Sequence, residues 1–348
     1  MKAAIYKGVR NVVIEDRPKP VAGPGEAVVK VEFVGICGTD VHAYKEEGMC
    51  EPPVIFGHET VGIVSEVGEG VTSCKVGDRV AVGPPGNCGE CFNCLNGRAS
   101  ICIHGFMRTT GITKYTDGGY AEFMLVRNPA KMLIPVPQNL SSEEAVLFDV
   151  VGTSFHGIRR STFKMGDNVV VIGTGPIGLS AIMLLKMGGA GRLIVVVRSE
   201  SKVKIAKDYG ADIVIDQSKV KDLPAAVQEA TDGKGADITY ECAGAPESFA
   251  NALNITRAGG QVMIIGVSGQ PSSFVSARYV PHEINMDTSF VYDAAEVAMV
   301  FNFLAEGKMP KAKDMITDTI PMKDVVTRGL ERLAGKNDQI KVLLAPNK

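Results

Sequence analysis

Apolar and polar positions follow two different rhythms along this chain. Through roughly the first 150 residues, short β-branched runs recur, AVVKVEFVG, TVGIVSEVG and DRVAVG, each closed by glycine or proline turns. Such runs predict a compact, mostly β domain of twisted, barrel-like strands. From Asn168 the chain reads NVVVIGTGPIGLSAIMLLKMGGAGRLIVVV, which is strand, glycine turn, helix, strand. The same alternation runs on through GADIVID, an amphipathic PAAVQEATD, ADITYECAG, ESFANALNITRAGG and QVMIIGVSG. Strands taking turns with helices predict the α/β class, a doubly wound parallel sheet covered on both faces. After about residue 287 the alternation stops; VYDAAEVAMVFNFLAEGK predicts a helix and KVLLAP a last strand returning to the first domain. The expected division is 1–152, then 153–287, then a return over 288–348.

The turn GTGPIG follows a strand and opens a helix, the setting in which a glycine motif points to a dinucleotide. Gly173 suits the tight turn, Gly175 lets the backbone approach a pyrophosphate, and Gly178 allows close packing of helix on strand. Pro176 and Ile177 start the helix, where a missing N–H costs nothing and the remaining N–H groups face the phosphates. An NAD site holds an acid about 20 residues further on. Here the second strand ends in Val197, followed by Arg198 and Ser199, with Lys202 nearby. A guanidinium suits the 2′-phosphate of NADP, which a carboxylate repels. The expected cofactor is therefore NADP(H), with NAD(H) as the alternative.

Composition narrows the classes further. A chain of 348 residues, 45% hydrophobic and 22% charged, has material for a substantial core and two ordinary domains. Its formal charge of −2 carries no basic footprint for nucleic acid. No apolar run approaches the roughly 20 residues that cross a bilayer. The N-terminal segment lacks a signal-peptide apolar core, so a cytoplasmic location is the expectation.

Eight cysteines require an account, and four of them fall within fifteen residues. GNCGECFNCLNGRASIC sets Cys88, Cys91, Cys94 and Cys102 in a C-x2-C-x2-C-x7-C spacing, a lobe over 88–102. Thiolates two residues apart converge on one tetrahedral ion and a loop returns the fourth, so a structural zinc is expected, with an iron–sulfur cluster as the rival. A second constellation is more dispersed: GICGTDVH and GHE supply Cys37, His42, His58 and Glu59. Thiolate, imidazole and carboxylate together suit a catalytic zinc, but the spacing alone is a weak signal.

These motifs carry a resemblance. GICGTDVH, GHETVGIVSEVGEGV, KVGDRVAV, the cysteine lobe, DGGYAEF, GTGPIG and ECAG stand in an order that resembles the zinc-dependent medium-chain dehydrogenase/reductase family over nearly the whole chain. The resemblance implies a GroES-like catalytic domain interrupted by a Rossmann domain, with the active site between them. It implies Cys37 and His58 as catalytic zinc ligands, Asp149 as a third, and Glu59 as an alternate or fourth. Thr39 matches the residue that hydrogen-bonds the alcohol, His42 the proton relay, and Asp40 a carboxylate orienting His58. Thr153 and the backbone of Gly266 and Val267 resemble nicotinamide contacts. Pro84, Phe56, Thr116 and Tyr292 are candidate pocket residues, whereas Cys50, Cys74, Cys242, His104, His156 and His282 receive no role. The implied chemistry is hydride transfer between NADP(H) and a small secondary or polyhydroxylated alcohol or its ketone, with zinc as Lewis acid. An NAD-dependent polyol, threonine or butanediol dehydrogenase is the alternative, and a non-catalytic relative a remote one. A homo-oligomer is implied, tetramer ahead of dimer.

Overall fold

The computed structural model describes residues 1–48, 50–83, 87–105, 108–335 and 337–348. The chain forms two compact units, Met1–Asp149 with Tyr292–Lys348, and Val150–Val291.

The first unit is built on a seven-stranded sheet. Its path runs Ile316–Pro321, Lys341–Ala345, Ala27–Gly35, Glu59–Val67, Arg79–Val82, Leu133–Pro135, and Phe123–Val126 also pairs with Ala27–Gly35. The run AVVKVEFVG is a strand because seven of its nine residues are buried and only Lys30 is fully exposed. β-branched residues suit that pleated, enclosed surface. Val29, Val31, Val34, Phe56, Tyr120, Met124 and Leu344 belong to the core of this unit. The tail strand Lys341–Ala345 pairs antiparallel with Ala27–Gly35 in the register Leu343↔Gly35, while Gly35 faces Glu59 on its other side. Gly35 thus lies in the middle of three strands, and this placement shapes the site below.

The second unit is a six-stranded, all-parallel sheet. Its order is Ile213–Asp216, Arg192–Val197, Asn168–Ile172, Ala236–Glu241, Thr256–Ile264, Asn285–Thr288. Numbered along the chain this is 3-2-1-4-5-6, the Rossmann order, whose direction of winding reverses beside the first strand. Val169, Val170, Val171, Leu193, Ile194 and Val195 are wholly buried, which explains why the strands read as unbroken apolar runs rather than alternating ones. The helices Pro176–Met187, Val203–Asp208, Leu223–Ala230 and Pro246–Ile255 connect them. One helix runs against residue propensity: Phe148–Arg160, FDVVGTSFHGIRR, is the longest described, at 13 residues. Its two glycines and β-branched residues carry low helix propensity, so only tertiary packing makes it helical. Among the described residues no helix is long and apolar enough to cross a membrane.

Candidate metal centres and dinucleotide turn

Cys37 closes the strand Ala27–Gly35 and caps the helix Gly38–Lys45, its backbone N–H donating to Asp40 Oδ2 at 3.0 Å. His58 and Glu59 open the neighbouring strand. One donor atom from each of Cys37, His58 and Glu59 lies within 4.8 Å of the others. Thiolate, imidazole and carboxylate are zinc ligands, and three of them leave a fourth position open.

Behind His58 stands Asp40, fully buried, with Oδ1 3.8 Å from His58 Nδ1. Neither of those two atoms has a hydrogen-bond partner among the described residues. A carboxylate facing the far nitrogen of an imidazole is the usual support of a metal-bound histidine. Asp40 is itself held, because the buried Tyr120 hydroxyl donates to its Oδ2 at 2.9 Å. Burial works against protonation of His58, but Cys37, Asp40 and Asp149 outweigh it and hold the imidazole's pKa well above its ordinary value.

Glu59 is wholly buried, and Lys341 Nζ, 2% exposed, donates to both of its carboxylate oxygens at 2.7 Å. The same ammonium reaches the Ile36 carbonyl at 3.3 Å. Gly35 makes this contact possible, since a Cβ there would sit 1.8 Å from Glu59 Oε2. Burial alone depresses the lysine's pKa, yet Glu59 and then Cys37 reverse the sign and raise it above 10.5.

The remaining residues of this constellation are spread more widely. Thr39 Oγ1 lies 3.6 Å from Cys37 Sγ. His42 is exposed on the helix that Cys37 caps. Asp149, in the first turn of Phe148–Arg160, is outside the set of donors within 4.8 Å. Its Oδ2 accepts from the buried Tyr292 hydroxyl at 2.5 Å. Burial and then the Glu59 carboxylate push Asp149 up to about 6. Phe56 is buried and Thr116 half-buried, while Pro84 lies outside the described residues.

The lobe brings all four thiols together. Cys88, Cys91, Cys94 and Cys102 offer sulfurs within 4.8 Å of one another, at 3.5 Å for Cys88–Cys102 and 3.9 Å for Cys88–Cys94 and Cys91–Cys102. A disulfide needs about 2.05 Å, and all four cysteines are free. Tetrahedral zinc with bonds of ~2.3 Å sets its sulfurs about 3.8 Å apart, so the donor spacing fits that ion. Backbone N–H groups of Cys94 and then Ile103 lower the Cys91 thiol to about 6, toward the thiolate a metal requires.

In the second unit Gly173 adopts φ +105°, and a Cβ on Gly178 would lie 2.1 Å from the Gly173 carbonyl oxygen. Gly175 precedes the helix Pro176–Met187 and has open space where a side chain would stand. Ile177 O accepts from Ser154 Oγ at 2.8 Å, while Thr153, one residue earlier on the same helix, is half-buried. Val197 ends its strand buried; Arg198 follows exposed, with Ser199 and Lys202 half-buried, and Ser199 Oγ is 3.0 Å from Ser201 Oγ. Gly266 donates to the Glu241 carbonyl at 2.9 Å, and Val267 is exposed. Sequence reasoning missed Asp216, which pairs with Val197 across the sheet. Its Oδ1 accepts from Ser218, and its buried Oδ2 has no partner among the described residues. The missed roles of Tyr120 and Lys341 left little signal: Tyr120 stands in DGGYAEF between glycines and an acid, and Lys341 opens the apolar run KVLLA.

The chain matches two family models, described as "Alcohol dehydrogenase GroES-like domain" over residues 23–138 and "Zinc-binding dehydrogenase" over 176–306. It is 32% identical to a protein named sorbitol dehydrogenase from Bacillus subtilis, covering 100% of this chain and 98% of that one. Among solved structures, 2R,3R-butanediol dehydrogenase from Bacillus subtilis is similar at TM-score 0.88 and 30% identity, covering 99% of each chain. A putative zinc-binding dehydrogenase from Sinorhizobium meliloti, bound to NADP, also gives TM-score 0.88 and 30% identity with 99% of each chain covered.

Proposed function

Since the chain belongs to the zinc-binding alcohol dehydrogenase family, we propose that it carries a hydride between NADP(H) and a small secondary or polyhydroxylated alcohol or the matching ketone. The open donor set of Cys37, His58 and Glu59, present in addition to the closed four-thiol set, is the observation that carries this reading. A purely structural relative has no use for an open set. The names of the sorbitol and butanediol dehydrogenases support the substrate class.

In this reading Cys37, His58 and Glu59 hold the catalytic zinc with Asp149 as a further ligand, and Cys88, Cys91, Cys94 and Cys102 hold a structural one. Zinc in an open site supplies Lewis acidity toward a substrate oxygen. Thr39, whose hydroxyl is 3.6 Å from Cys37 Sγ, hydrogen-bonds the substrate hydroxyl. His42, exposed on the same helix, exchanges the substrate proton with solvent. Lys341 neutralises Glu59, so that the donor set is not burdened with two uncompensated anions. The N–H groups opening Pro176–Met187 take the pyrophosphate, Thr153, Gly266 and Val267 contact the nicotinamide, and Arg198 with Ser199 and Lys202 takes the 2′-phosphate. The same family reading proposes a homo-oligomer, tetramer ahead of dimer, which light scattering checks.

Steady-state kinetics test the cofactor assignment. Arg198→Ala is expected to lower kcat/KM for NADPH by roughly 10- to 100-fold, the worth of a charge-assisted hydrogen bond, and to leave NADH nearly unchanged. Equal preference in both proteins removes Arg198 from the site. NAD(H) is the second reading, favoured by the unpartnered Asp216 Oδ2 beside the strand tip. Asp216→Asn that weakens NADH while Arg198→Ala spares NADPH selects it.

For the lobe, Cys88→Ala is expected to reduce metal content by about one zinc per chain and to lower the melting temperature, with kcat largely kept. A loss of kcat at full stability and full zinc content counts against a structural role.

A further inference from the structure

A cavity of about 290 Å³ opens on the first unit, lined in part by the candidate pocket residue Thr116 and by Lys131 beside the thiol lobe. Its polar wall is made by Asn87, Arg108, Tyr115, Arg127, Asn128 and Lys131. The floor is apolar, with Met124 and Met132. Three cations line it and no carboxylate does, in a chain whose acids slightly outnumber its bases. Among the described residues no acid pairs with Arg108 or Arg127. Lys131 Nζ donates to the Cys88 carbonyl at 3.0 Å, which leaves two of its three N–H groups for a ligand. Uncompensated charge gathered around a concavity is an anion site in electrostatic terms.

The chemistry of the wall selects among anions. Two guanidinium forks match the edge-on geometry of phosphate oxygens, and a third cation suits a dianion better than a single carboxylate. A phosphate monoester carries about −1.5 to −2 charges at neutral pH and offers three acceptor oxygens. Amides of Asn87 and Asn128 and the Tyr115 hydroxyl add neutral partners for the esterified portion. The volume lies at the small end of ligand pockets, roughly 300–1,000 Å³, which favours a small phosphorylated molecule. We propose that this cavity binds the phosphate monoester of a small polar molecule, with Arg108, Arg127 and Lys131 on the phosphate. None of its lining residues is among those assigned to the cofactor.

Isothermal titration of the zinc-loaded protein, saturated with NADP, tests this with glycerol 3-phosphate, inorganic phosphate and acetate at matched ionic strength. Glycerol 3-phosphate is expected to saturate at one per chain, several-fold tighter than inorganic phosphate, with no binding of acetate. Arg108→Ala and Arg127→Ala are each expected to weaken it at least tenfold; both side chains are exposed, and circular dichroism checks the fold. Arg198→Ala, and Arg278→Ala in a second basic cavity, are expected to change nothing. No saturable binding overturns the proposal, as does binding that survives in both Arg108→Ala and Arg127→Ala or disappears in Arg198→Ala or Arg278→Ala. Inorganic phosphate or acetate binding as tightly as glycerol 3-phosphate overturns the monoester assignment.

Discussion

Alanine at Cys37 is expected to lower kcat/KM by at least about 1,000-fold, to the limit of detection, because a Lewis acid lost from the site forfeits several kcal/mol of transition-state stabilisation. The thiolate is the only sulfur in the open donor set, and without it His58 and Glu59 alone face the ion. Metal content should fall from about two zinc ions per chain to about one, since the four-thiol lobe is untouched. The fold should survive. Cys37 is only half-buried; alanine keeps its backbone N–H to Asp40 and loses only the weak Sγ contacts with Thr39 and the first helical turn. His58→Ala is expected to give the same pair of losses for a different reason. It removes a donor and leaves the Asp40 carboxylate buried with nothing facing its Oδ1. Kinetics, metal analysis and circular dichroism on both variants form the test. Undiminished turnover in Cys37→Ala refutes the catalytic assignment, and loss of both zinc ions together shows that the two sets are not independent.

Legibility in the sequence follows distance along the chain. The parallel sheet was readable because strands buried on both faces become apolar runs, and each is bounded by its own turn signals. The glycine turn and the lobe were readable because their parts lie within a few residues of one another; steric need at Gly178 and donor spacing at Cys88–Cys102 are local facts. What supports the open donor set is not local. Tyr120 reaches Asp40 across 80 residues, Tyr292 reaches Asp149 across 143, and Lys341 reaches Glu59 across 282. No periodicity records such pairings. A lysine opening the run KVLLA reads as the solvated end of a strand, and only the register through Gly35 turns it inward. The helix Phe148–Arg160 was hidden differently, since its propensity argues against the state that its neighbours impose.

Lys341→Met is expected to be the most destabilising single change outside the apolar core. The pair it breaks is almost completely enclosed, at 2% and 0% exposure. In the zinc-free protein, removing one partner of this buried ion pair leaves the other charge without compensation and costs about 3–5 kcal/mol. For a unit of this size that corresponds to a drop of roughly 10 °C in melting temperature. Methionine keeps the length and apolar stem, so the loss reports the charge rather than a cavity. The second member of the cycle separates the explanations: Glu59→Gln in the Lys341→Met background removes the stranded carboxylate. If electrostatics govern the site, the double variant recovers most of the lost stability, and the coupling between the two positions exceeds about 1 kcal/mol. Additive losses, or a single-variant effect inside about 0.5 kcal/mol, show that the ammonium merely fills space. Zinc content gives an independent readout, because a carboxylate released from Lys341 is free to bind the ion more fully. Lys341→Met should therefore retain its second zinc even as it melts earlier, whereas Glu59→Gln should hold that zinc less tightly with the lysine still in place.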